Sequence, residues 1–168
     1  MLWTESIVAA LKRHEVKLIA YLPDSIVYRV LALLEQDPFF DMVPVAREEE
    51  GVGILAGAYL GGRRGALFAQ NSGLGNCVNA LASLAVPWQT PFLIFLSQRG
   101  ELGEFNVSQT GMGRATRPIL DALGIPHVTP THPEEVEGLV SDGIKLVYST
   151  RTPLGVLLSR QLTGGKNE

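Results

Sequence analysis

The sequence predicts an α/β fold, a three-layer α/β/α sandwich around a mostly parallel central sheet, formed as one domain over residues 1–168. Three observations predict it. Short apolar runs alternate along the chain with stretches of helical periodicity, which is the pattern of successive βα units. The run Phe92-Leu93-Ile94-Phe95-Leu96 is apolar at every position, as a strand covered on both faces must be. Finally, 46% of the residues are hydrophobic and 18% charged, enough apolar material for such a core and for further burial in an oligomer.

The elements follow in order. Ile7, Val8 and Leu11 recur at helical spacing within residues 5–14, and residues 16–22 read as the first strand. Pro23-Asp24-Ser25 is a turn with a helix-capping signature, and Ile26, Val27, Val30, Leu31, Leu33 and Leu34 give an amphipathic helix that stops near Asp37-Pro38. Residues 41–46 are expected as strand. A helix over 48–60 opens on Glu48-Glu49-Glu50, favourable to its dipole, and ends at Gly61-Gly62. Residues 66–69 read as a buried strand, 71–76 as a small-residue loop, and 77–86 as a helix. After the strand 92–96, a polar, glycine-rich loop is expected over 97–113, a length that is usually functional in a compact domain. A helix over 114–123, a strand at 127–129, a helix over 133–148, a strand over 154–159 and a frayed tail from residue 163 complete the pattern.

Composition excludes several function classes. The net charge is -3 and the 14 basic residues are scattered, so neither nucleic acid nor a membrane surface is an expected partner. Cys77 is the only cysteine, which excludes an internal disulfide framework and a cysteine metal cluster and fits a reducing cytoplasm. No basic segment followed by an apolar run opens the sequence, and no apolar run reaches the ~20 residues of a membrane span, so neither a secretory signal nor a membrane anchor is expected. His14, His127 and His132 lack metal-ligand spacing, and Ser72 lacks the preceding glycine of a hydrolase nucleophile turn.

Three segments fall just beyond expected strands, where an open α/β sheet holds its ligands: Pro23-Asp24-Ser25, Arg47-Glu48-Glu49-Glu50-Gly51 and Gln70 to Asn76. The residues after the triple glutamate are nearly all small or apolar through Ala58. This predicts a helix packed closely on all sides, with a carboxylate at its start partly desolvated and its pKa raised. The acidic turn has a plain reading too, as dipole compensation on a solvated surface. Likewise Asn71-Ser72-Gly73-Leu74-Gly75-Asn76 is either a phosphate cradle or a tight turn with close helix packing, and it lacks the lysine of a nucleotide P-loop.

The combination of Arg47-Glu48-Glu49-Glu50-Gly51-Val52-Gly53, Ala56-Gly57-Ala58-Tyr59 and Gln70-Asn71-Ser72-Gly73-Leu74-Gly75-Asn76 resembles the pyrimidine-binding domain of thiamine-diphosphate enzymes. With Leu22-Pro23-Asp24-Ser25, it is most similar to the sulfopyruvate and phosphonopyruvate decarboxylase group within that family. The resemblance implies that Glu49 is the catalytic acid that shares a proton with N1′ of the cofactor's aminopyrimidine, Glu48 and Glu50 being its flanks. It also implies that Pro23 and Asn71, Ser72, Gly73, Leu74 and Gly75 line the cofactor cleft. Ser25 and Asn76 then fall near the substrate, although Ser25 serves equally well as a helix cap. Arg99 and Gln109 are candidates for an anionic substrate group.

Two departures from the family shape the expectation. Its Gly-Asp-Gly magnesium motif has only Ser141-Asp142-Gly143 as a counterpart, inside an expected helix, and the adjacent histidine pair of pyruvate decarboxylases is absent. No metal ligand is therefore expected in this chain. The resemblance implies a partner β subunit that carries Gly-Asp-Gly and holds Mg²⁺, with thiamine diphosphate shared across a hetero-oligomer and a small anionic 2-oxo acid as substrate. A carboligase of the same family, a binding module that kept the fold without the chemistry, and a nucleotide-binding protein are the competing readings.

Overall fold

The structure, a computed structural model, describes residues 2–165. Six strands, β1 (Val16–Tyr21), β2 (Asp41–Pro44), β3 (Arg64–Gln70), β4 (Leu93–Ser97), β5 (His127–Val128) and β6 (Leu154–Leu158), form one sheet in the order β2-β1-β3-β4-β6-β5. Every pair is parallel. The helices are α1 (Trp3–Arg13), α2 (Tyr28–Glu35), α3 (Glu48–Leu60), α4 (Asn71–Ala80), α5 (Val107–Ala122), α6 (Pro133–Thr150) and the short α7 (Arg160–Thr163).

Strand alternation divides the core in two. In β4, Leu93 and Phe95 face a cluster formed with α1, α2 and α6, whereas Ile94 and Leu96 face α3, α4 and α5. All five β4 residues are buried, which is why this strand carries no polar face in the sequence. Phe68 and Phe95, paired across β3 and β4, stack with ring centroids 4.4 Å apart. The three-layer expectation therefore stands, and the sheet is wholly parallel.

Three expectations are corrected. Residues 71–76 are not a loop: α4 begins at Asn71, immediately after β3, and passes at its far end into a π-helical segment, Leu81–Ala85. Glycines 73 and 75 argue for a loop by propensity, and tertiary packing of Leu74 and Cys77 into the core overrides that preference. The long loop shrinks to residues 98–106, because Asn106 caps α5 by accepting from Ser108 N at 3.1 Å. The tail is not frayed at its start. Thr163 is buried, its hydroxyl donates to Ser159 O at 2.9 Å, and its carbonyl accepts from Arg29 Nη1 at 2.8 Å; residues 166–168 lie outside the described residues.

The 98–106 loop is folded around an ion pair. Arg99 meets Glu104 through two bonds of 2.7 Å, both side chains nearly buried, and the same carboxylate accepts from Gly100 N and Asn106 N. These donors hold the Glu104 carboxyl down at about 2, the Arg99 hydrogen bonds contributing most. The loop thus reaches the carboxyl edge of the sheet as a fixed structure.

Two predictions test this packing. A Cβ on Gly65 would lie 2.9 Å from the carbonyl oxygen of Leu18 on the neighbouring strand, so Gly65→Ala should cost about 1–3 kcal/mol by overpacking, read as a lower urea midpoint. Glu104 has a depressed folded pKa, so its contribution is complete above its ordinary value of 4.5 and is lost as pH falls toward about 2. The stability margin of the native chain over Glu104→Gln should therefore be flat above about pH 5 and narrow below it, as followed by urea midpoints across that range.

Candidate active site

The chain order reverses around β1: β2 lies on one side and β3 on the other. Such a reversal opens a crevice beyond the carboxyl ends of β1 and β3, and the three segments singled out from the sequence all emerge at that edge.

After β1, the chain turns through residues 22–27. Asp24 Oδ1 accepts from Ile26 N at 2.8 Å and Val27 N at 2.7 Å, so the aspartate caps this turn. Its Oδ2 accepts from the Ser97 hydroxyl at the end of β4 and from Gln70 Nε2 at the end of β3, the latter at 3.3 Å. Ser25, half-buried, has no hydrogen-bond partner among the described residues. The capping alternative for Ser25 is thereby removed. Pro23 is exposed beside it.

After β2, α3 places its three glutamates differently from the expectation. The helix is not enclosed on all sides: Glu48, Gly51, Val52, Leu55 and Ala56 face the core, while a stripe from Glu49 through Gly53 and Gly57 to Leu60 is open. Glu48 is the buried carboxylate, at 8% exposure. It accepts from Asn76 Nδ2 at 2.8 Å and lies over Gly73, where a Cβ would collide with it. Glu49 is 40% exposed and pairs with Arg47 Nε at 2.8 Å, an exposed ion pair of small worth. The expected desolvation of Glu49 is not supplied by this chain, because its helical phase puts the side chain on the outer stripe.

After β3, Asn71 is fully buried, in place of the cleft-lining side chain expected of it. Its amide donates to Arg99 O at 3.0 Å and to Thr116 Oγ1 at 3.1 Å, and its oxygen accepts from Arg99 N at 3.3 Å. Leu74 is likewise a core residue. Ser72 is exposed and donates to Gln70 Oε1 at 2.7 Å, and Gly75 and Asn76 are exposed. The first turn of α4 has no side-chain cap.

The two candidates for an anionic substrate group fare differently. Arg99 is already neutralised by Glu104, since a bidentate carboxylate occupies its fork. Gln109 lies in the first turns of α5 rather than in a loop, with its side-chain oxygen buried and unpartnered. Sequence reasoning missed Asp24, Gln70, Ser97 and Glu48. Only Asp24 carried a signal for its role, as an aspartate directly after a strand and two residues before an apolar helix face.

The exposed stripe of α3 runs into an apolar groove of about 280 Å³ lined by Gly53, Ala56, Gly57, Leu60, Leu84, Trp88 and Thr90. Leu60 is 82% and Trp88 73% exposed on its rim. Among the described residues, no group of three or more His, Cys, Asp or Glu is placed to hold a metal ion, and no helix is long and apolar enough to cross a membrane. Asp142 sits on α6 and pairs with Lys145 at 2.8 Å. Cys77, buried in the core, has its thiol pushed up to about 12, mainly by burial and then by Glu48 and Glu49.

Residues 1–129 match the family described as thiamine pyrophosphate enzyme, N-terminal TPP binding domain. The α subunit of sulfopyruvate decarboxylase from Methanococcus maripaludis is 39% identical over 155 residues, covering 92% of this chain and 93% of that one. A sulfopyruvate decarboxylase from Methanosarcina acetivorans is 35% identical over 123 residues, covering 73% of this chain and 31% of that longer protein. Among solved structures, a 2-oxoglutarate:ferredoxin oxidoreductase from Magnetococcus marinus superposes with a TM-score of 0.75 at 15% identity, over 97% of this chain and 29% of that one, a likeness of fold. With the motifs, the sheet order and these matches in agreement, the chain belongs to the thiamine pyrophosphate enzyme family as its N-terminal, cofactor-binding domain.

Proposed function

We propose that the chain is the α subunit of a cytoplasmic, thiamine-diphosphate-dependent 2-oxo acid decarboxylase that converts sulfopyruvate to sulfoacetaldehyde and carbon dioxide. The observation that carries the reading is the position of Glu49. It stands at the carboxyl edge of the sheet, on the open stripe of α3, at the place where the family pattern puts the acid facing the aminopyrimidine. The end-to-end correspondence with a named α subunit supports the same assignment.

The residues present fit one half of the cofactor. Glu49 offers a carboxylate at an open edge, and Ser25 a hydroxyl with no hydrogen-bond partner among the described residues. Bound there, the cofactor supplies the electron sink for loss of carbon dioxide. Glu49 holds a proton at N1′, and a partner seated on the α3 stripe removes water from that carboxylate, which strengthens the interaction. Ser25 binds the 2-oxo acid, and Pro23, Ser72, Gly75 and Asn76 line the approach to it.

The other half belongs to a second chain. The longer Methanosarcina acetivorans relative has more than two thirds of its length outside the match to this chain. In our reading a β subunit supplies that remainder, with a Gly-Asp-Gly motif for Mg²⁺ and the diphosphate, and the cofactor is bound between the two.

In the complex of the chain with that partner, Glu49→Gln should lower turnover of sulfopyruvate by about 10²-fold or more while size-exclusion chromatography shows unchanged assembly. Full turnover by this variant overturns the assignment. Calorimetric titration of thiamine diphosphate with Mg²⁺ should give binding to the pair and none to the isolated chain. Tight binding to the chain alone refutes the shared site, and binding to neither favours a module without chemistry.

A further inference from the structure

The Ser25 hydroxyl has no hydrogen-bond partner among the described residues, so its place is set by the backbone that carries it. A free hydroxyl on a turn samples several rotamers, and a residue that recognises substrate works only if its backbone is held to a fraction of an ångström. The neighbouring Asp24 is built for that task.

We propose that Asp24 is the positioning residue for Ser25, acting as a clamp that ties the substrate-binding turn to the ends of β3 and β4. The proposal rests on the decarboxylase reading and on the substrate contact assigned there to Ser25. Its basis is the juxtaposition of four donors around one carboxylate. Oδ1 takes the backbone N–H groups of Ile26 and Val27, which closes the turn around Ser25. Oδ2 takes the Ser97 hydroxyl and the Gln70 amide, which are not part of the turn at all. One oxygen therefore shapes the turn, and the other bolts it to two neighbouring strands. Gln70 is itself held, as its side-chain oxygen accepts from Ser72 at 2.7 Å.

The saturation of the carboxylate argues for positioning rather than chemistry. An ionised carboxylate offers about four acceptor directions, and four donors occupy them here. No lone pair is left to take a proton from substrate. Asp24 thus acts on the reaction only through the geometry of Ser25.

The test is a double-mutant cycle in the assembled enzyme, with sulfopyruvate as substrate. Ser25→Ala is expected to raise KM about tenfold with kcat within about threefold. Asp24→Ala should raise KM to a similar extent, and the double variant should be no worse than either single one, because both remove the same interaction. Asp24→Asn keeps the oxygen that caps Ile26 and Val27 but puts an amide donor in place of Oδ2, opposite the Gln70 amide, so it should raise KM as loss of the anchors does while kcat stays within about threefold. If Asp24→Ala impairs assembly, Ser97→Ala removes one Oδ2 anchor, leaves the Ile26 and Val27 caps and the Ser72–Gln70 bond in place, and should raise KM in the same direction. The proposal is overturned if Asp24→Ala or the anchor variant assembles with an unchanged KM while Ser25→Ala raises it, or if the two effects multiply in the double variant. If Ser25→Ala changes nothing, the substrate contact and the clamp fall together, whereas the decarboxylase reading stands or falls separately with Glu49→Gln.

Discussion

The site depends on side chains that continue the sheet past the point where its backbone ladder ends. β1, β3 and β4 lie next to one another in parallel, and beyond their carboxyl ends the strands would splay under their own twist. Two polar side chains hold them. Asp24 joins the end of β1 to Gln70 and Ser97, and the buried Asn71 joins the end of β3 to the backbone of Arg99 beyond β4. A buried amide left unsatisfied costs more than its hydrogen bonds return, so Asn71 favours one arrangement of the strand ends, and the four bonds to the part-buried Asp24 favour the same one. The rigidity of the crevice follows from that preference.

The same logic extends outward through the loop 98–106. Asn71 grips this loop from beneath, and Glu104 gathers Arg99, Gly100 N and Asn106 N from within. Gly100, with a φ of +79°, lies against the backbone of Gln109 and Gly113, an approach that a side chain at either glycine would block. Although it is polar and rich in glycine, the segment is therefore a docked structure with a buried ion pair at its centre. Arg99 is spent on this fold and does not serve as a free cation for substrate.

How much of this was legible in the sequence depends on the physical signal each residue carried. The layer architecture was readable because the run Phe92 to Leu96 is apolar at every position and short apolar runs alternate with helical stretches, and the bounds of α3 were set by an acidic first turn and Gly61-Gly62. The start of α4 was not, since glycines 73 and 75 lower helix propensity and only tertiary burial of Leu74 and Cys77 reverses it. Arg99 misled for a different reason: its partner Glu104 is five residues away, and nothing in spacing alone distinguishes an internal ion pair from a free charge. The long-range bonds of Asp24 to Gln70 and Ser97 had no local signature, because they join residues 46 and 73 positions apart.

The burial of Glu48 in place of Glu49 follows from the phase of α3, which an expectation of a helix enclosed on all sides passed over. Counting from Glu48 by helical turns reaches Gly51, Val52 and Leu55, all core; counting from Glu49 reaches Gly53, Gly57 and Leu60, all open. The small residues of α3 on the outer stripe thus do not pack against this chain, and a helix apolar on every side finishes at an uncovered groove under Leu60 and Trp88. Glu49 pairs with Arg47 at 2.8 Å on this open face, and its proposed work against an aminopyrimidine ring would gain from a low dielectric. The inner half of α3, Glu48 included, holds the helix to α4, whereas the outer half, Glu49 included, is open. On the proposed role of Glu49, folding and chemistry fall to opposite faces of one helix. On the same proposal, subunit association is the step that encloses this carboxylate.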